Sequence, residues 1–335
     1  MKVYKYRGGA FDRDLASLRD NQFYAPSRNK LNDPCEGVFD QKGIFDQTEL
    51  ISKLISSDSN GVAYKSLVNS LKDVFSFVDK SGIYSLSKTP LEELLWAHYS
   101  CNHTGFCIEY DLDRLSDFID RDCHKIPVTY KACPPAVCLS DISNPQDIIT
   151  KMFGVKSSAW GYENELRLVT SQAGIHDYDF RAVTGIYFGL RMDELEKKQI
   201  MQALKGRDIQ YYQIALKGNS YEFQYQNIPD AFMGSERHMY NIAPVADYAI
   251  APDYVNVKYK RYIPYLYKAT EIVRREPYCS SIEMTEFSSS KGNPSDPVIF
   301  VQYVNLDGDY KNHYLPVKEI DAAYDQLSDV EENAI

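Results

Sequence analysis

Glu165-Leu166-Arg167-Leu168-Val169-Thr170 alternates cleanly between side-chain classes, and Val183-Thr184-Gly185-Ile186-Tyr187-Phe188-Gly189 follows it across a polar interval. Alternation with a period of two sends successive side chains to opposite faces of a strand. Strand following strand across short polar turns, with helices interleaved elsewhere, favours an α+β fold over a doubly wound parallel sheet. A mixed, mainly antiparallel sheet flanked by helices is the expected architecture.

Upstream, residues 1–7, Gly82 to Ser87, Gly105 to Tyr110 and Lys125 to Tyr130 carry strand formers. Helical spacing is found from Asp12 to Asp20, over residues 48–57 and 63–78, from Leu91 to Tyr99, and over residues 145–158. Thr89-Pro90 offers an N-cap and a first-turn proline for the Leu91 helix. Downstream, Met192 to Leu204 reads as a helix with Gly206 past its end, and Ile209 to Ile214 as a strand. The texture then changes, so the chain is expected to divide into an α+β domain at 1–215 and an accessory region at 216–335. In that region Pro297 to Val304, the Asp307-Gly308 turn and His313 to Val317 read as a hairpin. Ser288 to Pro294 reads as a mobile loop, and Ser328 to Ile335 as an acidic, frayed tail.

The 335 residues carry a formal net charge of −10, which repels phosphate backbones and disfavours nucleic acid as a general partner. No apolar run is long enough to cross a membrane, and Met1 to Arg7 has no apolar signal core, so a cytoplasmic protein is expected. The 27 tyrosines suit strand faces and half-buried surfaces. Seven cysteines without Cys-x-x-Cys spacing read as reduced thiols, and no metal site is expected. Glycine-rich phosphate loops and His-Glu-x-x-His are missing, which disfavours a kinase, a Rossmann dehydrogenase and a zinc protease.

Four stretches place polar groups beside aromatics at element ends: Tyr4-Lys5-Tyr6-Arg7; Leu31-Asn32-Asp33-Pro34-Cys35-Glu36; Ser85-Leu86-Ser87 with Leu95-Trp96-Ala97-His98-Tyr99 and His103-Thr104-Gly105-Phe106-Cys107-Ile108-Glu109; and Trp160-Gly161-Tyr162-Glu163-Asn164-Glu165-Leu166-Arg167. With Ile186-Tyr187-Phe188-Gly189, their order over roughly residues 1–215 resembles the bacterial domain-of-unknown-function family 2971. The order of Arg7, Ser85-x-Ser87 and Glu163-x-Glu165 is also similar to that of ADP-ribosyltransferases. That resemblance implies a split sheet and NAD as substrate. It implies Arg7 on the dinucleotide phosphates, Ser85 and Ser87 in the pocket wall, Glu165 as the catalytic carboxylate and Glu163 as its partner. Asn32, Trp96, His98, Tyr99 and Trp160 would line or support the cleft. A bacterial toxin or antiphage-defence effector with a protein acceptor is the biological setting it suggests.

An arginine fork suits phosphate, and a carboxylate suits the positive charge that builds on ribose as nicotinamide leaves. Other readings stay open. The cleft could bind a nucleotide or signal without turnover while the chain contacts a partner protein, or serve a metal- or cysteine-dependent hydrolase or nuclease. Arg7 and Arg167 could instead pair with Glu163, Glu165 or Asp33 in a structural ion network.

Overall fold

A computed structural model describes residues 1–38, 40, 69, 73, 76–117, 123–137, 141 and 145–327. The helix expected at 48–57, most of that expected at 63–78, and the tail from Ser328 lie outside the described residues. The chain divides into two compact units, Met1–Glu236 and Arg237–Ile335.

The strands of the first unit are β1 Lys2–Arg7, β2 Gln22–Ala25, β3 Gly82–Ser87, β4 Phe106–Asp111, β5 His124–Pro127, β6 Thr129–Lys131, β7 Val155–Ser157, β8 Glu165–Thr170, β9 Gly174–Asp177, β10 Val183–Phe188, β11 Gln210–Leu216 and β12 Phe223–Ile228. Its described helices are α1 Phe11–Arg19, α2 Glu93–Tyr99, α3 Leu112–Ser116, α4 Pro145–Phe153 and α5 Glu194–Ala203. Eight strands form one sheet in the order β12-β11-β10-β4-β1-β3-β8-β5. Neighbours run antiparallel except β10 and β11, which are parallel. The fold is therefore α+β with a mixed, mostly antiparallel sheet. Because β12 pairs with β11, the first unit extends past residue 215, where the change in texture had suggested a division.

The sheet is continuous on either side of its middle and thin at the middle. β1 pairs with β4 along its length, from Lys2 opposite Asp111 to Arg7 opposite Phe106. β3 pairs with β8 along its length, from Gly82 opposite Thr170 to Ser87 opposite Glu165. Between them, β1 and β3 share a single register pair, Tyr4 opposite Ser87. Apolar side chains cover both faces. Val3, Tyr84, Leu86, Ile108 and Leu168 pack with Leu18 of α1 and Ile200 of α5 on one face. On the other, Tyr6 and Cys107 pack with Leu95 and Trp96 of α2, while Ile83 and Val169 pack with Ile149 and Phe153 of α4.

Two local outcomes differ from the sequence reading. Helix α2 starts later than Thr89-Pro90 suggests. The Glu92 side chain caps it by accepting from the Leu94 N–H, whereas the Thr89 hydroxyl accepts from Leu91. Helix α4 stops at Phe153 instead of running to 158, because the chain enters β7 to pair with β6. Gly154 makes this possible, since a β-carbon there would lie 2.5 Å from the Thr150 carbonyl oxygen.

The turn after α2 carries three consecutive non-glycine residues in the left-handed region, Cys101, Asn102 and His103. Each such residue is disfavoured by contact of its β-carbon with the backbone. Gly105, which follows, lies against β1: an added β-carbon would sit 2.0 Å from the Arg7 carbonyl oxygen. Gly105→Ala should therefore force β1 and β4 apart and destabilise the first unit by about 3 kcal/mol, the upper end of overpacking costs. Urea denaturation checks this, and a loss well below 1 kcal/mol (about a fivefold change in the folding constant) would show the turn to be pliable.

The second unit holds α6 Ile263–Val273, β13 Cys279–Asn293, β14 Asp296–Asn305, β15 Tyr310–Pro316 and α7 Val317–Tyr324. Its three strands form an antiparallel sheet in the order β13-β14-β15. Leu266, Ala269 and Val273 of α6 pack with Ile282, Ile299, Val301 and Ile320 in a core of their own. The expected hairpin is present, with Gly308 at a φ of 88° in its turn. Ser288 to Pro294, expected as a loop, instead completes β13 and its turn into β14. Gly292 pairs with Pro297, and the Asn293 side chain accepts from the Ser295 and Asp296 N–H groups.

Candidate functional site

Where β1 and β3 part, a cavity of about 140 Å³ opens. Tyr4, Lys5 and Tyr6 line it from β1, Ser85 and Ser87 from β3, and Glu163, Glu165, Lys156, Asn32 and Tyr99 complete its polar wall. Strand geometry explains the grouping. Ser85, Ser87 and Ile83 share one face of β3, while Tyr84 and Leu86 point to the opposite core. Glu165 and Arg167 likewise leave the core face of β8 that Leu166 and Leu168 occupy. Asn164 bends the chain just before β8 with a φ of 43°, ending the 3-10 turn that carries Glu163.

The carboxylates belong to a buried ion cluster. Arg167 Nε and Nη2 donate to the two oxygens of Glu165 at 2.9 and 3.1 Å. Arg167 Nη1 donates to Glu36 Oε1 at 2.6 Å and to the Phe153 carbonyl at 2.7 Å. Lys156 Nζ donates to Glu163 at 2.5 Å and to Glu165 at 3.3 Å. The Tyr99 hydroxyl donates to Glu163 Oε1 at 2.7 Å and accepts from Asn32 Nδ2 at 2.5 Å. The Tyr130 hydroxyl accepts from the Glu165 backbone N–H at 2.8 Å.

Charge states follow from these contacts. Burial alone would raise the Glu165 carboxyl. The Arg167 charge and hydrogen bonds, with Lys156 and the Ser85 hydroxyl, outweigh it and hold the group at about 2. Glu165 is thus an anion at any ordinary pH. Burial and the neighbouring Glu163 carboxylate push the Tyr99 hydroxyl up, so it stays a donor. Burial pushes Lys5 down to about 7; the Arg7 charge adds to this, against the pull of Glu165 and Glu163.

The structure thus brings Ser85, Ser87, Glu163, Glu165, Asn32 and Tyr99 to one cleft. Arg7 is not part of its lining. It lies on the other side of β1 from Tyr6, with Nη2 3.4 Å from the Tyr84 hydroxyl. Trp96 is fully buried in the core, its indole N–H donating to the Pro90 carbonyl at 2.8 Å and its ring edge-on to Tyr6. It supports the cleft wall through Tyr6. His98 is exposed beside Tyr162. Trp160 backs the cluster, with Lys156 Nζ 5.0 Å from its ring centre. Arg167 pairs with Glu165 and Glu36, so the ion network left open by the sequence exists, without Arg7 or Asp33. Lys156 and Lys5 are cleft residues that the sequence reading did not single out. Lys5 stood inside a quoted motif; Lys156 had no motif around it. Among the described residues, no cluster of three or more His, Cys, Asp or Glu side chains could hold a metal ion, and no helix is long and apolar enough to cross a membrane.

The fold and site define an α+β domain whose sheet parts around a cleft walled by a buried ion cluster. Residues 95–168 carry a domain matching the family described as Protein of unknown function (DUF2971). That span runs from α2 into β8 and includes Tyr99, Lys156, Glu163, Glu165 and Arg167, but not Arg7, Asn32, Ser85 or Ser87. Neither a curated protein nor a solved structure is similar enough to the chain to be matched.

Proposed function

We propose that the cleft between β1 and β3 is the site of an ADP-ribosyltransferase-like enzyme that takes NAD as substrate. The observation that carries this reading is the convergence of Ser85, Ser87, Glu163 and Glu165 on one cavity where the sheet parts. The nicotinamide–ribose bond would break with its electron pair leaving on nicotinamide, and an acceptor nucleophile or water would close on the ribose carbon. Glu165, held anionic, would stabilise the positive charge on the ribose. Glu163, aimed by Tyr99 and Lys156, would orient the nucleophile. With Arg7 outside the lining, the exposed Asn32 amide is left to meet the diphosphate.

One observation favours a second reading, a nucleotide-binding module without turnover. Both carboxylates already have intramolecular partners on both oxygens, as a purely structural cluster would. Purified protein incubated with NAD and a cell lysate as acceptor source separates the two. Nicotinamide release that is lost in Glu163→Gln supports the enzyme. A raised Tm with NAD and no nicotinamide moves the assignment to the binding module, and the absence of both effects overturns NAD as the ligand.

A further inference from the structure

We propose that Lys5 is a reactive amine that forms an imine with a small aldehyde or ketone bound in the split-sheet cleft. The proposal rests on the placement of Lys5 and does not depend on NAD. Lys5 lines the cavity from β1; its stem leaves the strand on the Arg7 side, and its amine reaches across the parting to β3. Its Nζ donates to the Ser85 carbonyl at 2.7 Å and lies 4.8 Å from the centre of the Tyr84 ring. Lys156, the other lysine of the lining, is tied to Glu163 and Glu165. Lys5 has no carboxylate at ion-pair distance among the described residues; its amine donates instead to a neutral carbonyl.

That arrangement suits nucleophilic chemistry. An amine held by a carboxylate is locked as the ammonium, which has no lone pair. A neutral amine that donates one N–H to Ser85 must point its lone pair away from that carbonyl. The groups around it also favour the neutral form. Arg7 follows on the same side of β1, and Lys156 adds a second positive charge, while Glu163 and Glu165 act in the opposite sense. Burial weighs most, and together these bring the amine to about 7. A desolvated lysine beside another cation is a recurring way to activate an amine toward carbonyl carbon.

The step balances without a further reactant. The lone pair attacks the carbonyl carbon to give a carbinolamine. One nitrogen proton and the carbinolamine hydroxyl then leave as water, and a carbon–nitrogen double bond remains. Water in the reverse direction regenerates the amine and the carbonyl compound. The class of ligand is a small open-chain carbonyl compound, a 2-oxo acid or the aldehyde form of a sugar.

Glyoxylate with cyanoborohydride is the probe, because reduction traps the imine as a stable carboxymethyl-lysine. At pH 7 the intact protein should gain predominantly one such group, and peptide mapping should find it on Lys5. Labelling there should outpace the exposed lysines by about tenfold or more, since an ordinary lysine is almost wholly protonated at that pH. Lys5→Arg keeps a cation and a donor for the Ser85 carbonyl, and should lose the label. Label spread over exposed lysines, or equal labelling of the wild type and Lys5→Arg, would overturn the proposal. The map of the wild type decides the matter by itself if the variant folds poorly, and nicotinamide release is not read in any arm.

Discussion

Arg167→Met should lower the stability of the first unit by about 3–5 kcal/mol, the cost of stripping one partner from a buried ion pair. Arg167 is fully buried, and its guanidinium is the centre of the cluster. It donates to both oxygens of Glu165, to Glu36 and to the Phe153 carbonyl. Methionine matches the length of the stem and supplies no donor. Glu36 and Glu165 would then face each other's charge with Lys156 as the remaining described cation of the cluster, at 3.9 and 3.3 Å. The loss comes from uncompensated carboxylates more than from packing, so adding Glu165→Gln should restore part of it. Urea denaturation followed by the fluorescence of Trp96 and Trp160 measures both variants. The double variant should come out more stable than the sum of the single losses, because the two side chains touch. If Arg167→Met costs under about 1 kcal/mol, comparable to an exposed pair, then the cluster is not dry and its carboxylates are free for other work.

The same residues explain which parts of the fold and site could be read from sequence. β8 alternates clearly because Leu166 and Leu168 enter the apolar core while Glu165 and Arg167 turn to the ion cluster, and a period of two is a local property. The C-terminal hairpin is legible for the same reason, with Asp307-Gly308 marking its turn. The parting of β1 from β3 is not local. It depends on strands about 80 residues apart that meet at Tyr4 and Ser87 alone. Alternation within a strand says that Lys5 and Arg7 share a side, and that Ser85 and Ser87 share a side. It cannot say which sides coincide until a register is known. Once Tyr4 faces Ser87, continuing the antiparallel register sets Arg7 against Tyr84, and residues opposite one another share a face. Arg7 therefore falls with Tyr84, as its contact with that hydroxyl records, and away from Ser85. Lys156 was unreadable for a related reason: it is a single charge in an ordinary surrounding sequence, and its partners Glu36, Glu163 and Glu165 meet it only in the fold.

Acid should weaken the first unit over a defined window, and Glu165 should account for much of it. Its carboxyl is held at about 2 against an ordinary 4.5. A group whose folded value is depressed binds fewer protons folded than unfolded, so its contribution is complete above about 4.5 and is lost as pH falls toward about 2. The difference corresponds to about 3 kcal/mol at neutral pH, at about 1.4 kcal/mol per pH unit. Burial works against this value, and the Arg167 and Lys156 charges produce it, so the contribution exists only while those cations remain in place. The urea midpoint of the wild type should hold between about pH 7 and about pH 5, then fall steeply below about pH 4.5. Glu165→Gln should start lower at pH 7, since its amide cannot accept the Arg167 fork as an anion does, and should fall less steeply in acid. The two curves should converge near pH 2, where the wild-type carboxyl is itself substantially protonated. Curves that stay parallel from neutral pH into acid would mean that Glu165 does not carry its charge against Arg167 in the folded protein. That outcome would also remove the fixed anion on which the proposed stabilisation of ribose depends.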